Sequence, residues 1–329
     1  MPQSKFILAT RGSALALQQS RMIQAAVEEA VPGSRVELLT IRTIGDRMAH
    51  QPLPQIGGKG LFTKEIEDAL LEGRADFAVH SLKDLPTAIP SGLTLAAVPR
   101  REDPRDALIS RDGKTLVELP NGAVVGTSSV RRSAQIKRLR PDLEISPLRG
   151  NLDTRLRKLR EGNLDAIILA VAGMRRMGFE NQITEILSPD VLCPAAGQGA
   201  LGIEARADDH RTLRALAALE DSWSRLSITA ERALLESLGG GCQVPIAAAT
   251  GREKERMLLT AVVIRPDGTE AVRASELSEP DIFVQEKPAS LEAAQRLGAK
   301  LAELLRNKGA NAILHEFSEP GPLAIPETP

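Results

Sequence analysis

The chain has 329 residues, with 42 basic and 43 acidic side chains and a formal net charge of −1. A chain of this length is expected to form more than one domain. The balanced charge argues against nucleic acid or an anionic membrane as a partner of the whole molecule, and six Phe, one Trp and no Tyr leave few rings for stacking on bases. No apolar run reaches the ~20 residues that a membrane-spanning helix requires.

The amino terminus does not resemble a secretory signal, because its apolar stretch, FILA at 6–9, is too short. We therefore expect a cytoplasmic protein. The two cysteines, Cys193 and Cys242, lack the CxxC spacing of zinc ligands, so neither a metal site nor a disulfide framework is predicted. Cys193, between Leu192 and Pro194, is expected to be buried.

The pattern of apolar residues predicts alternating strands and helices from the amino terminus. In chain order these are a strand at 5–10, a helix at 13–30, a strand at 36–41, a helix at 61–72 and a strand at 76–80. A Gly- and Pro-rich loop at 47–60 precedes the second helix and is expected to be mobile.

The same order of elements recurs further along the chain. It comprises a strand at 123–125, a turn at 126–129, a helix to about 139, a strand at 144–148, a helix at 154–160 and a strand at 165–170. The motif EGxxD also recurs, at 72–76 and 161–165, each time between a helix and a strand. Two similar α/β lobes are the simplest explanation.

Two polar, proline-containing segments, 100–106 and 188–194, are candidate crossings between the lobes, and two crossings imply a hinged cleft. The pattern then changes to a helix at 222–238, a glycine turn, strands at 257–264 and 270–276 and a helix at 291–306, which predicts a smaller α+β domain. The expected division is residues 1–99 and 200–220 in a first lobe, 100–199 in a second, 221–316 in the third domain and 317–329 in a disordered tail.

Ligands of open α/β sheets bind beyond the carboxyl ends of the strands. Here those ends carry the polar segments 10–13, 80–84 and 127–129. Arginines crowd the same junctions: Arg11, Arg131, Arg132, Arg149, Arg155 and Arg176. Guanidinium groups and the N–H groups of a helix start both bind carboxylates, so a partly cationic cleft is predicted. The alternative, a solvated basic helix face, fits Lys137, Arg138, Arg157 and Lys158 better.

Asp84 follows an apolar strand, where its carboxylate can project into the cleft as an acid, a base or a counter-ion. From the residues alone, an N-cap or a surface ion pair with Lys83 is the more common role for such a group. His80, in the same segment, is expected to be a hydrogen-bonded core histidine.

Cys242 follows three glycines, so this turn is expected to present its thiol without hindrance. Two other glycine motifs are discounted. GQGALG at 197–202 runs into a predicted strand rather than a helix, and GGKG at 57–60 lacks the spacing of a phosphate-binding loop.

Eight ordered segments together carry a family resemblance. They are ATRGSALA at 9–16, KGLFTKE at 59–65, AVHSLKDLPT at 78–87, RREDPRD at 100–106, GTSSVRR at 126–132, LRGNLDTRL at 148–156, GQGALGIE at 197–204 and GGCQVPI at 240–246. In these segments the chain resembles the porphobilinogen deaminases, over about residues 5–315.

The resemblance implies two α/β lobes similar to periplasmic binding proteins around a cleft, with a smaller C-terminal α+β domain. It implies a dipyrromethane cofactor attached to Cys242 through a thioether. On this primer the family condenses porphobilinogen stepwise, head to tail, with loss of ammonia at each addition, and then releases the linear tetrapyrrole hydroxymethylbilane by hydrolysis. It also implies a monomer whose partner is this small substrate, with no metal, nucleic acid or membrane.

The resemblance assigns roles to individual residues. The catalytic residues implied are Asp84, Lys83 and Lys59. The cofactor contacts implied are Cys242, Ser13, Lys83, Asp84, Thr127, Ser128, Ser129, Arg131 and Arg132. The substrate contacts implied are Arg11, Arg149, Arg155, Arg176, Phe62 and Gln198. Of these, Lys59 and Phe62 belong to the family's mobile loop.

Two other functions are open to the residues alone. A two-lobed carboxylate-binding or ligand-sensing protein would have the same lobes and arginines, but it leaves Cys242 unexplained. A cysteine hydrolase needs an activating histidine, and none of the four histidines lies in a segment that suggests contact with Cys242.

Overall fold

The computed structural model describes residues 4–47, 63–239, 245–280, 282–283 and 287–318. Within these residues the strands form two five-stranded sheets and one three-stranded sheet. This arrangement confirms the predicted fold class, two α/β lobes and a smaller domain.

The first sheet has the strand order β2-β1-β3-β10-β4. Its strands are β1 (Ser4–Arg11), β2 (Ser34–Ile41), β3 (Phe77–Ser81), β4 (Leu93–Ala97) and β10 (Leu201–Arg206). Its helices are α1 (Ala14–Ala30), α2 (Ile44–Arg47), α3 (Lys64–Leu71) and α7 (His210–Ala217). β1 pairs in parallel with β2 and β3, whereas β10 runs antiparallel to β3 and β4.

The second sheet repeats this pattern with the order β7-β6-β8-β5-β9. Its strands are β5 (Asp106–Ser110), β6 (Val124–Gly126), β7 (Glu144–Ser146), β8 (Ala166–Ala170) and β9 (Glu185–Leu187). Its helices are α4 (Val130–Leu139), α5 (Leu152–Arg160) and α6 (Val171–Arg176). β6 is parallel to β7 and β8, and β5 is antiparallel to β8 and β9.

In each sheet the antiparallel fourth strand follows a connection from the other sheet. The chain passes from β4 to β5 through 98–105, the first crossing, and from β9 to β10 through 188–200, the second crossing. Because β5 runs antiparallel to β8, its first residue, Asp106, pairs with the last residue of β8, Ala170. A residue that begins β5 therefore lies at the edge where the parallel strands end.

The repeated EGxxD motif has equivalent contacts in the two lobes. Asp76 accepts a hydrogen bond from Ile7 N at 2.7 Å, and Asp165 accepts one from Val124 N at 2.8 Å. In each lobe the carboxylate binds the middle one of three parallel strands, β1 in the first lobe and β6 in the second. The two copies therefore perform the same structural task.

Apolar residues cover both faces of each large sheet. In the first lobe, Ile23 of α1 and Leu216 of α7 pack on one face, and Ile66 and Leu70 of α3 pack on the other. In the second lobe Ile136 of α4 covers one face, while residues of α5 and α6 cover the opposite face. Burial of both faces explains why most central strands are continuous apolar runs.

The third domain is an antiparallel sheet in the order β11-β12-β13, covered by helices. Its elements are β11 (Ile246–Glu253), β12 (Arg256–Ile264), β13 (Ala271–Leu277), α8 (Ser222–Ser237), α9 (Lys287–Asn307) and α10 (Ala310–Ser318). Helices α8 and α9 pack closely because Gly298 has no side chain to strike the α8 backbone.

Several elements were not predicted from the sequence: β4, β5, β9, β11, α2, α6, α7 and α10. Most of these are short or border polar segments, so their periodicity is weak. None of the helices in the described residues combines the length and the apolar character that crossing a membrane requires.

Candidate active site

The polar residues singled out in the sequence come together at the carboxyl ends of the parallel strands. Arg11 ends β1, and Lys83 and Asp84 lie in a 3₁₀ turn directly after β3. In the second lobe, residues 127–129 follow β6, Arg149 follows β7, and α6 begins directly after β8.

Asp84 is exposed, whereas Lys83 beside it is half-buried. Burial lowers the pKa of Lys83, the carboxylate of Asp84 opposes this effect, and the guanidinium group of Arg132 adds to it. Burial also lowers the pKa of Arg155. The guanidinium group of Arg132 lowers this pKa further, whereas the carboxylate of Asp84 raises it. Asp84 and Lys83 of the first lobe thus lie close enough to these second-lobe arginines to interact electrostatically.

Arg131 and Arg132 begin α4 and share one buried carboxylate, that of Asp106. Arg132 donates to Oδ1 from Nε at 3.0 Å and from Nη2 at 2.6 Å, and Nη1 of Arg131 lies 2.8 Å from Oδ2. Arg132 also donates to Ile168 O, and Arg131 donates to Cys193 O. Burial would raise the pKa of Asp106, but the two guanidinium groups outweigh it and hold the pKa at about 2.

Gln198, implied by the resemblance as a substrate contact, is fully buried, and its side chain contacts other parts of the protein. Its Nε2 donates to Asp106 Oδ1 at 2.9 Å and to Pro104 O at 2.7 Å. The glycines on either side both have positive φ, 75° at Gly197 and 85° at Gly199, and this turn lies against the backbone of the first crossing.

The remaining arginines of the predicted set are each held by the backbone or by other contacts. Arg155 donates from Nε to Gly150 O at 2.8 Å, and Arg176 donates from Nη2 to Gly199 O in the second crossing at 2.7 Å. Arg11 and Arg149 are half-buried. Nε of Arg176 is buried without a hydrogen-bond partner among the described residues, so this donor is open to an anionic ligand.

The hydroxyl residues expected to contact the cofactor organise the starts of helices. Ser13 caps α1, and Ser129 caps α4 by accepting from Arg132 N. Thr127 accepts from Ser129 N at 3.2 Å, and Ser128 exchanges hydrogen bonds with the backbone of Leu148. These turns direct helix N-termini, which attract anions, toward the strand ends.

Two expectations about buried residues are confirmed. His80 is buried, and its Nε2 lies 2.9 Å from Oε2 of the buried Glu204. Cys193 is fully buried, and burial raises the pKa of its thiol to about 12, so it is unsuited to nucleophilic chemistry. Lys59, Phe62, the loop at 47–60 and Cys242 lie outside the described residues, apart from Arg47, the last residue of α2.

The third domain contacts the segment that carries Asp84. Arg232 of α8 donates hydrogen bonds to the carbonyl oxygens of Leu85, Pro86 and Thr87 at 3.0, 2.6 and 3.0 Å. Helix α8 ends at Ser237, shortly before Cys242 in the sequence. The element that leads to Cys242 is therefore bound to the backbone directly after Asp84.

Sequence reasoning missed three residues of this region: Asp106, Glu231 and Arg232. Asp106 was included in a polar crossing, although it directly precedes the apolar run ALI at 107–109, which is the signal of a strand start. Glu231 and Arg232 carry no local signal, because Arg101, the ion-pair partner of Glu231, and Leu85, an acceptor for Arg232, each lie more than a hundred residues away.

This donor set fits a polycarboxylate better than a neutral ligand. Guanidinium groups, an ammonium group and helix N-termini supply charge-assisted hydrogen bonds, and one of the buried guanidinium donors, Arg176 Nε, has no partner within the described chain. A dipyrromethane carrying carboxylate side chains therefore suits the residues present.

Comparison with known proteins agrees with this reading. Residues 6–214 match the family model described as porphobilinogen deaminase, dipyromethane cofactor binding domain, and residues 225–307 match that of the porphobilinogen deaminase C-terminal domain. The chain is 49% identical to the porphobilinogen deaminase of Syntrophobacter fumaroxidans over 310 residues, 94% of this chain and 97% of that protein. It is 50% identical to the porphobilinogen deaminase of Brevibacillus brevis over 303 residues, 92% and 98% of the two chains.

Solved structures show a weaker likeness. The methionine-binding protein MetQ is 13% identical, with 65% of this chain and 89% of that chain covered and a TM-score of 0.40. A double mutant of the Bordetella pertussis BvgS VFT2 domain is also 13% identical, with 68% and 92% covered and a TM-score of 0.39. The two family matches and the close relatives confirm the resemblance found in the sequence, and this chain belongs to the porphobilinogen deaminase family.

Proposed function

We propose that this chain acts as a porphobilinogen deaminase, also called hydroxymethylbilane synthase. This transferase joins porphobilinogen units by carbon–carbon bonds with loss of ammonia and releases hydroxymethylbilane. The observation that carries the proposal is the exposed carboxylate of Asp84 beside Lys83, close to the cationic groups of Arg132 and Arg155.

The primer is proposed to be a dipyrromethane bound through the sulfur of Cys242. When bound, it supplies the pyrrole carbon to which the first substrate is joined. Its carboxylates would be held by Arg131 and Arg132, by Lys83 and by the helix starts capped by Ser13 and Ser129, with Thr127 and Ser128 completing the polar turn. These groups provide the paired donors and helix N-termini that carboxylates prefer.

Asp84 is proposed to act on the substrate amino group. Loss of ammonia breaks a carbon–nitrogen bond and leaves positive charge on the substrate pyrrole, and the fixed carboxylate of Asp84 would stabilise this charge. Asp84 would also accept the proton that is released when the carbon–carbon bond forms. Lys83 holds the neighbouring carboxylates, and Lys59 is proposed to assist from the loop at 47–60.

The substrate and the growing chain present acetate and propionate groups. We assign their neutralisation to Arg11, Arg149, Arg155 and Arg176, with Phe62 against the pyrrole rings. The buried Nε of Arg176, unpartnered within the described residues, supports this assignment. These arginines would give the cleft an excess of positive charge, so that it could accept a product that gains carboxylates at each addition.

We further propose a cytoplasmic monomer without nucleic-acid partners. The proposed domains are a first lobe at 1–99 and 200–220, a second lobe at 100–199 and a third domain at 221–316. We propose that each of them moves as a unit. In this arrangement the two crossings form the hinge between Asp84 and the arginines of the second lobe.

Intact-mass measurement of the purified protein tests the proposal. The wild-type chain is expected to exceed its polypeptide mass by one dipyrromethane, and Cys242→Ser is expected to show the bare mass. Cys193→Ser is the matched control: it removes the other cysteine of the chain, which is buried, and should keep the adduct.

The holoprotein should also convert porphobilinogen to hydroxymethylbilane. If the wild-type chain has the bare mass and cannot be reconstituted with porphobilinogen, the proposed function is wrong. A carboxylate-binding protein would then be the better assignment.

A further inference from the structure

Asp106 is the only acidic side chain that contacts either Arg131 or Arg132 within the described residues. It occupies the first position of β5, at the end of the first crossing, and its side chain has no exposed surface. A ligand in the cleft therefore meets the arginines, while Asp106 lies behind them.

The contacts of Asp106 determine which arginine donors face away from it. Arg132 uses Nε, Nη1 and Nη2 in hydrogen bonds to Asp106 and Ile168 O. Among the described residues, Arg131 makes its polar side-chain contacts through Nη1 alone. Nε and Nη2 of Arg131 thus stay available for a carboxylate, as does the second N–H of both Nη1 and Nη2 in Arg132.

The charges of this group are unbalanced. Two guanidinium groups at adjacent positions repel each other, and one buried carboxylate compensates only one of them. The two arginines together with Asp106 therefore keep a net positive charge, and the guanidinium groups have a defined orientation. Without the carboxylate, two buried cations would separate, and the fork of Arg131 would lose its fixed direction.

We propose that Asp106 is a positioning residue that holds Arg131 and Arg132 in the orientation that receives pyrrole carboxylates. The inference rests on the proposed function and adds a residue that does not itself touch substrate. Gln198 extends this unit, because its side-chain Nε2 donates to Asp106 and its backbone carbonyl oxygen accepts from Nε of Arg101 at 2.8 Å. Both crossings therefore contact the group that orients the arginines.

Steady-state kinetics of Asp106→Asn holoenzyme, with dipyrromethane content verified by intact mass, tests this inference. Asparagine keeps the size and an acceptor oxygen but removes the charge. We expect KM for porphobilinogen to rise at least about fivefold, with kcat per holoenzyme within about threefold of the wild type, because orientation of a binding group is lost and Asp84 is untouched. A KM increase below about fivefold overturns the inference.

A second readout does not depend on turnover. The fraction of purified Asp106→Asn protein that carries the dipyrromethane is expected to fall below that of the wild type, because the same arginines hold its carboxylates. Asp103→Asn is the matched control, since Asp103 lies in the same crossing, is mostly buried and pairs with Arg105 instead. Equal effects of the two substitutions on KM and occupancy would mean a general structural role and would overturn the inference.

If Asp106→Asn yields no folded protein, Gln198→Met provides the test. Methionine preserves the length of the side chain and removes the donor to Asp106. A KM increase of at least about twofold at unchanged kcat is expected, and an unchanged KM overturns the inference. If the wild type is active and the variants have an unchanged KM, this inference alone is wrong. If the wild type is inactive and carries no adduct, the proposed function is wrong as well.

Discussion

Arg101 and Glu231 form a two-point ion pair at the place where the first crossing meets the third domain. Nη1 of Arg101 donates to Oε1 at 2.7 Å, and Nη2 donates to Oε2 at 3.0 Å. Glu231 Oε2 also accepts from Gly197 N of the second crossing at 2.7 Å. One buried carboxylate of α8 therefore binds both segments that connect the two lobes.

Removing one member of this pair should destabilise the protein strongly. Arg101→Met leaves the buried Glu231 carboxylate without its main partner, and breaking a buried pair in this way costs about 3–5 kcal/mol. The free energy of unfolding, measured with urea, should fall by this amount. Arg157→Met, in the exposed pair with Glu161, should change it by at most about 0.5 kcal/mol. Similar losses in the two variants would contradict the prediction.

Gly199 should not tolerate a side chain. A Cβ atom there would overlap the backbone oxygen of Glu102, and φ is already 85°. Gly199→Ala is expected to lower the free energy of unfolding by about 3 kcal/mol, combining left-handed strain and overlap. Gly178→Ala is the control, because φ is 73° but, apart from its chain neighbours, no atom of the described residues lies within 4 Å of the added Cβ, so only about 1 kcal/mol should be lost. Equal losses would show that overlap at the crossing is unimportant.

Asp84→Asn should abolish turnover without affecting the fold. The side chain is exposed, so the midpoint of thermal unfolding is expected to stay unchanged, while kcat should fall by about a hundredfold or more, because the charge that stabilises the cationic substrate is lost. Turnover of holoenzyme and unfolding are measured on the same preparation. Asp112→Asn, an exposed carboxylate beside Arg111, should leave kcat as it is. Near-normal turnover in Asp84→Asn would remove Asp84 from the mechanism.

Acid should destabilise the protein partly through Asp106. Its native pKa of about 2 lies below the ordinary value, so the unfolded chain takes up the proton first as the pH falls. The stabilisation is present above the unfolded value of about 3.9 and is lost as the pH approaches 2; a shift of this size corresponds to about 2–3 kcal/mol. The free energy of unfolding between pH 6 and 2 should therefore decrease less steeply in Asp106→Asn. Parallel curves for the variant and the wild type would contradict this.

Local sequence determined much of the architecture. The regular spacing of apolar residues predicts α1, α8 and the central strands, since each element buries one face or both. The repeated EGxxD motif predicts two related lobes, and in both copies its aspartate binds the backbone of a neighbouring strand. The apolar surroundings of His80 and Cys193 were sufficient to predict their burial.

The sequence also placed most of the candidate site at one edge of the sheets, because parallel strands end together: Arg11 ends β1, and Lys83 and Asp84 lie directly after β3. The sequence does not show which charged groups contact each other. Gln198 illustrates this: the resemblance implies a substrate contact, and only the structure shows that its side-chain amide donates to Asp106.

Only the tertiary structure decided the pairing of Asp106 with Arg131 and Arg132 and of Arg101 with Glu231. These partners belong to different elements, and the second pair is separated by 130 residues. A charged side chain has the same local pattern whether it is solvated or paired, so its role depends on the element that packs against it. The sequence by itself therefore determined the family, the lobes and the residues at the strand ends, while β5, the antiparallel strand after the first crossing, decided which buried carboxylate pairs with Arg131 and Arg132.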